Sequence, residues 1–248
     1  MNEPLRLLCI DASTDALSVA VGSGLPGAAV QAYQGPGAAQ ASTTLLPVIQ
    51  DLLAQTGWRL AELDAIVFGR GPGAFTGLRT ACAVAQGLAW GVRSERHPAG
   101  LPVLPLDTLA AVAEEGRERR RAAGLTVPDA VVAMLDARMD EIYVAIESGD
   151  GRAIAEPRLC APEAMAAHVQ ACVPDGATVL LAGNVFDAYG DRLAGVPGER
   201  QVAVPTAAAL LRLAPAAWHA GRAVPAHEAL PLYVRDKVAR TTAEREGR

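Results

Sequence analysis

The sequence predicts an α/β protein of two similar lobes produced by internal duplication. Three observations lead there: the length and composition, a repeat at a fixed offset, and the same order of strand-like and helix-like segments in each copy. The 248 residues suffice for two lobes of about 120 residues each, with a sizeable buried core. Hydrophobic residues make up 51% and charged residues 20%, a balance that folds rather than stays disordered.

The repeat appears when the chain is shifted by 125 residues. Leu7-Leu8-Cys9-Ile10-Asp11-Ala12-Ser13-Thr14-Asp15 then lies over Val132-Ala133-Met134-Leu135-Asp136-Ala137-Arg138-Met139-Asp140. Asp11, Ala12 and Asp15 match Asp136, Ala137 and Asp140, and Val19, Ala20, Ser23, Gly24 and Ala28 match Val144, Ala145, Ser148, Gly149 and Ala153. Matching Asp and Gly, not only common apolar types, argues against coincidence between two apolar hairpins. Each copy reads as an apolar strand ending in Asp, a tight turn, and two further strands. A helix follows, near Thr43 to Gln55 and Ala161 to Ala171, then a strand near Ala65 to Phe68 and Thr178 to Ala182, then another helix. Two copies of β-β-β-α-β-α make up the actin-like (ASKHA, ribonuclease H-like) architecture. The charged, then Gly- and Pro-containing stretch Arg117 to Asp129 marks the boundary, dividing the chain into lobes 1–120 and 121–248.

Net charge is -5, whereas a protein that grips nucleic acid unaided usually shows a basic balance; any such role is expected to be shared. Lysine occurs once, at Lys237. The cysteines, Cys9, Cys82, Cys160 and Cys172, form no CxxC pair and read as free thiols of a reducing compartment. The N-terminal residues do not read as a signal peptide, and no apolar run approaches the ~18 residues of a membrane span. A cytoplasmic protein with no membrane contact is expected.

In this architecture the two Asp-containing turns face each other across a cleft that holds metal and nucleotide phosphates. Phosphate contact favours glycine, whose backbone N–H can approach the anion. Neither the turn with Asp11, Ser13 and Thr14 nor that with Asp136 and Arg138 contains glycine. Both read as degenerate phosphate turns, with Arg138 and Met139 filling the space a phosphate needs, although Arg138 could also pair with an anion or with Asp140. The stretch Gly69-Arg70-Gly71-Pro72-Gly73-Ala74-Phe75-Thr76-Gly77-Leu78-Arg79 follows a strand and opens a helix. It lacks the Gly-Lys-Ser/Thr of a P-loop and departs from GxGxxG at Thr76. It could hold an anion at the helix N-terminus, but a structural or interface role is favoured. The histidines, His97, His168, His219 and His227, include no pair at helical i, i+4 spacing, so no HxxxH or HExxH metal site is visible. No nucleophile elbow appears.

In the helix after the glycine turn, Gly77, Ala81, Ala85 and Ala89 form a row at four-residue spacing that would let another helix come close. The preceding helix carries Leu45, Ile49, Leu52 and Leu53. Their own sheet could cover both helices, but apolar character over much of the circumference suggests a second buried surface and a partner. With Gly71, Pro72, Gly73, Phe75, Thr76 and Arg79 of the turn, these residues form the expected partner interface. Arg117, Arg119, Arg120 and Arg121 read as a solvated helix end, with RNA contact as the less favoured alternative.

The stretch Phe68 to Arg79 resembles the signature of the TsaB (YeaZ) family, with Ala74 where that pattern has Ser. Leu8-Cys9-Ile10-Asp11-Ala12-Ser13-Thr14, Leu135-Asp136-Ala137-Arg138-Met139-Asp140-Glu141-Ile142-Tyr143 and Pro231-Leu232-Tyr233-Val234-Arg235 resemble its N-terminal, central and C-terminal blocks. The resemblance implies an actin-like fold of the glycoprotease superfamily and a subunit that is not itself an enzyme or a peptidase. It would pair with the homologous catalytic subunit TsaD. Together with the ATPase TsaE, they would support threonylcarbamoyl transfer from its adenylate to N6 of the tRNA adenosine beside the anticodon. It also implies no catalytic residue, metal or cofactor on this chain alone, with ATP and metal on the partners and tRNA reached through the complex. Many relatives carry His where Ala41-Ser42 stands here. Rival readings are a sugar-kinase-type phosphotransferase, which lacks a glycine-lined phosphate turn, a metallopeptidase, which lacks the histidine pair, and a homodimeric binding module, which the same helices would also serve.

Overall fold

The computed structural model describes residues 4–37 and 41–235; the side chains of Ala41 and Ser42, and Lys237 with the rest of the C-terminal stretch, lie outside the described residues. The first half runs β1 (Leu7–Asp11), β2 (Ala16–Gly22), β3 (Val30–Pro36), α1 (Ala41–Thr56), β4 (Ala65–Gly71), α2 (Phe75–Gly91), β5 (Val103–Asp107) and α3 (Thr108–Ala122). The second runs β6 (Ala130–Asp136), β7 (Ile142–Ser148), β8 (Ala153–Cys160), α4 (Met165–Cys172), β9 (Val179–Gly183), α5 (Phe186–Tyr189), β10 (Glu199–Val202) and α6 (Ala207–His219). Read from corresponding edges, the sheets have orders β3-β2-β1-β4-β5 and β8-β7-β6-β9-β10. In both, the middle strand pairs antiparallel with the second strand and parallel with the fourth.

The duplicated actin-like topology is therefore present, with the repeated aspartates Asp11 and Asp136 ending the two middle strands. β1 is buried throughout its length, as a strand covered on both faces must be. The expected β-β-β-α-β-α unit is short by one strand and one helix in each lobe: β5 with α3, and β10 with α6, complete them. Both added strands lie at sheet edges, where sequence signals are weakest. Pro105 is tolerated in β5 because an edge strand need not donate on both sides, and β10 has only four residues, two of them charged.

The two final helices are exchanged. One face of the first sheet packs on α1 and α2 through Ile10, Val19, Phe68, Leu45, Ile49 and Ala85. Its other face packs on α6, from the far end of the chain, through Leu7, Cys9, Val67, Leu210, Leu211 and Ala214. The second sheet is covered in turn by α3, with Leu109, Val112 and Ala113 against Val131, Ala133 and Leu180. α3 and α6 also pack on each other, so they form the shared floor between the sheets. Cys9, Cys82 and Cys160 are buried free thiols and Cys172 is half-buried. No described helix is long and apolar enough to cross a membrane.

Candidate functional site

A cavity of about 980 Å³ lies between the lobes, lined by both Asp-containing turns, the glycine turn and the final described segment. Asp11 is almost fully buried. Its Oδ1 accepts from the backbone N–H and the hydroxyl of Ser13, at 3.1 and 2.7 Å. Its Oδ2 is buried without a hydrogen-bond partner and occupies space that Gly69 leaves free, since a Cβ there would sit 2.0 Å from it. Burial raises the Asp11 carboxyl to a pKa of about 6, against the lowering effect of the Ser13 bonds. This carboxylate sits behind the cavity rather than in its lining, which the neighbouring Ser13, Thr14 and Asp15 supply.

Asp136 is engaged differently. Its Oδ1 accepts from the Arg138 backbone N–H at 2.7 Å and from the Tyr189 hydroxyl at 2.9 Å. Its Oδ2 pairs with Arg138 Nη1 at 3.1 Å, and its own N–H donates to Asn184. Arg138 also reaches across the cavity to Asp15 at 3.3 Å. It pairs there rather than with Asp140, whose partner is Arg192. Arg138, Met139 and Asp140 all hold positive φ, at 61°, 56° and 61°. Three successive residues with side chains thus hold a conformation that L residues rarely adopt, and two of them, Arg138 and Met139, line the cavity. Among the described residues no cluster of three His, Cys, Asp or Glu could hold a metal ion.

The glycine turn is built for close backbone approach. Ala74 N–H donates to the Ser13 carbonyl at 2.7 Å, and a Cβ at Gly73 would lie 2.4 Å from that same oxygen. Gly71 has φ 118° and donates to Thr108 Oγ1, while Arg70 pairs with Asp107 at 2.6 Å. The turn thus threads between β1 and β5 and aims α2 across the sheet.

The row Gly77, Ala81, Ala85 and Ala89 faces the protein's own sheet, contrary to its expected place at a partner surface. Ala81, Ala85 and Ala89 have no exposed area, and a Cβ on Gly77 would meet the Ala12 carbonyl at 1.7 Å. Leu45, Ile49, Leu52 and Leu53 are likewise core, and Gly71 and Pro72 are buried. The small residues let α2 approach β1 and β4 rather than a foreign helix. Of the expected interface residues, Phe75, Thr76 and Arg79 are exposed and Gly73 is partly so. The second row of small residues that the sequence offers on this helix, Ala83, Gly87 and Gly91, is the outward one, and Trp90 beside it is exposed too. Trp90 is 55% exposed and Leu46 of α1 46%. A tryptophan closing the second small-residue row was the available signal.

The arginine cluster is not a uniformly solvated helix end. Arg117 is 1% exposed, pairing with Glu114 at 3.1 Å and with Glu147 of the second sheet at 2.8 Å. Arg120 pairs with Glu199, and Arg121 with Glu114 and Glu118. Arg119 donates to the Val202 carbonyl. All four thus have acceptors within the molecule, but the side chains of Arg119 and Arg121 remain about half exposed.

Comparison with known proteins agrees with this geometry. The family model described as TsaD, tRNA N6-adenosine threonylcarbamoyltransferase, matches residues 36–181. The chain is 32% identical over 94% of its length to the tRNA threonylcarbamoyladenosine biosynthesis protein TsaB of Haemophilus influenzae, covering 95% of that protein. It is 31% identical over 95% of its length to the TsaB of Escherichia coli, covering 96% of it. The solved structure of YeaZ from Pseudomonas aeruginosa superposes with a TM-score of 0.76 at 35% identity, over 92% of this chain and 99% of that one. Similarity that runs through both lobes and the turns between them settles the kinship: the chain belongs to the TsaB family of tRNA threonylcarbamoyladenosine biosynthesis proteins.

Proposed function

We propose that this chain serves tRNA threonylcarbamoyladenosine synthesis as a non-catalytic partner subunit. It docks a TsaD homologue through the outward face of α1 and α2 and works with TsaE. The observation that carries the partner role is that outward face: on α2 Trp90 stands exposed beside a stripe of small residues at Ala83, Gly87 and Gly91, and on α1 Leu46 is exposed as well. Small residues permit close helix approach, and a large exposed aromatic is the side chain most often found anchoring an interface. The non-catalytic reading is supported by the two turn aspartates, one buried behind the cavity and one saturated by Arg138 and Tyr189. On this reading ATP, metal and the transferred group sit on the partner subunits, this chain alone binds no cofactor, and tRNA is met through the complex. The same face gives a weak homodimer when the partner is absent.

The test is co-purification with a TsaD homologue, alongside measurement of the modified nucleoside in cells that depend on this chain. Gly87→Arg and Trp90→Asp should leave the fold intact, since a Cβ at Gly87 meets nothing within 4 Å. Both should abolish co-elution and modification together. Folded variants that still co-elute at equal stoichiometry would place the interface elsewhere.

A further inference from the structure

The last described segment, Ala229 to Arg235, lines the interlobe cavity with its residues 232–235. Its first part is fastened to the first lobe. The Ala229 carbonyl accepts from Gln86 Nε2 at 2.9 Å and from Cys82 Sγ at 3.1 Å. The Leu232 N–H donates to the Arg70 carbonyl at 2.7 Å. Tyr233 accepts from Arg79 Nε at 3.1 Å, and its ring lies 5.4 Å from that of Phe75. The Arg79 guanidinium covers Phe75 at 3.8 Å.

Two residues later the same segment is fastened to the second lobe. Val234 packs against that lobe's inner core. Arg235 forms an ion pair with Glu141 and donates to the Arg138 carbonyl at 3.3 Å and the Met139 sulfur at 3.5 Å. It therefore grips the turn in which Arg138, Met139 and Asp140 hold positive φ. Such a conformation persists only where its surroundings over-determine it.

The lobes are tied differently in two places. Away from the cavity lining they meet at the α3–α6 pair, with the buried Arg117–Glu147 ion pair. Across the cavity, Arg138 also pairs with Asp15, and their side chains are 72% and 85% exposed. An exposed pair of that kind contributes little.

We propose that residues 229–235 form a latch that fixes the spacing of the two lobes and keeps the turn at 138–140 left-handed. The α3–α6 pair acts as the hinge and the latch as a second tie between the lobes at the cavity. This inference concerns the chain alone and does not rest on the docking surface proposed above.

The test is an interlobe distance distribution by pulsed electron paramagnetic resonance on the full chain. Nitroxides are placed at Gln55→Cys and Gln170→Cys, both exposed positions on α1 and α4, in a Cys172→Ser background. Labelled protein is diluted with unlabelled chain so that only intramolecular distances are read. The parent should give one narrow distribution. Tyr233→Ala combined with Arg235→Ala should broaden it and add a longer component. Hydrogen exchange at the Glu141 amide, which closes the turn onto Arg138, should become about tenfold faster. If that variant is not folded by circular dichroism, Glu141→Gln removes the ion pair from the other lobe and should give the same broadening. A folded variant of either kind with unchanged distances overturns the latch.

Discussion

Asp11 shows how one residue can keep its place in a motif while changing its chemistry. Its carboxyl is desolvated and titrates near 6, against an ordinary aspartate near 3.9. The folded state thus holds the proton more tightly than the unfolded state. Below the ordinary value both states are protonated and the site costs nothing. Between that value and about 6 the cost of ionising a buried group grows, and above it the cost is complete. Asp11→Asn keeps the acceptor used by Ser13 and removes the charge. It should be more stable than the parent by about 3 kcal/mol at pH 7, with the gain vanishing near pH 4. Urea unfolding at both pH values measures this. An equal gain at both would show that the charge is not what Asp11 contributes. The sequence marked Asp11 as a residue of the cleft. That it points behind the cleft depends on the space left by Gly69, a contact across strands that no local pattern announces.

Among the elements, α2 has two rows of small residues with opposite duties. The inner row is pressed on the sheet, and Gly77→Ala should cost about 2–3 kcal/mol or more by overpacking, because its Cβ would strike the Ala12 carbonyl. The outer row is open. Gly87→Ala introduces no contact within 4 Å and should raise stability by about 0.5–1 kcal/mol through helix propensity. Ala85→Trp, which an interface reading of the inner row expected to be folded, should instead fail to fold. Thermal melts of the three variants are the check, and equal effects of the two glycine substitutions would contradict the assignment of faces. The helix and its start were legible from the glycine turn and the spacing of small residues. The direction of each row was not, because both rows satisfy the same periodicity and only the position of the sheet separates them.

For the molecule as a whole, the exchange of α3 and α6 makes the lobes interdependent. Each sheet has one apolar face on which a helix from the other half of the chain packs. Arg117, near the end of α3, pairs with Glu147 of the second sheet in a nearly dry setting. Removing one member of a buried pair typically costs about 3–5 kcal/mol. Arg117→Ala should lose stability of that order and lower the melting of both lobes together, in a single transition. Residues 1–122 expressed alone should not fold cooperatively, because α3 would lack the sheet it covers. A sharp calorimetric transition from that fragment would show the lobes to be independent.

The sequence by itself determined the duplication, the middle strands and their terminal aspartates, the glycine turn and the kinship these motifs carry. All of these are written in local pattern and in the 125-residue offset. Only the packed chain shows which faces are buried, that Arg117 is buried in ion pairs, that β5 and β10 complete the sheets, and that the final helices change lobes. The physical reason is range. Periodicity fixes what an element can bury, whereas what it does bury depends on residues such as Leu210, which reaches the first sheet from the far end of the chain.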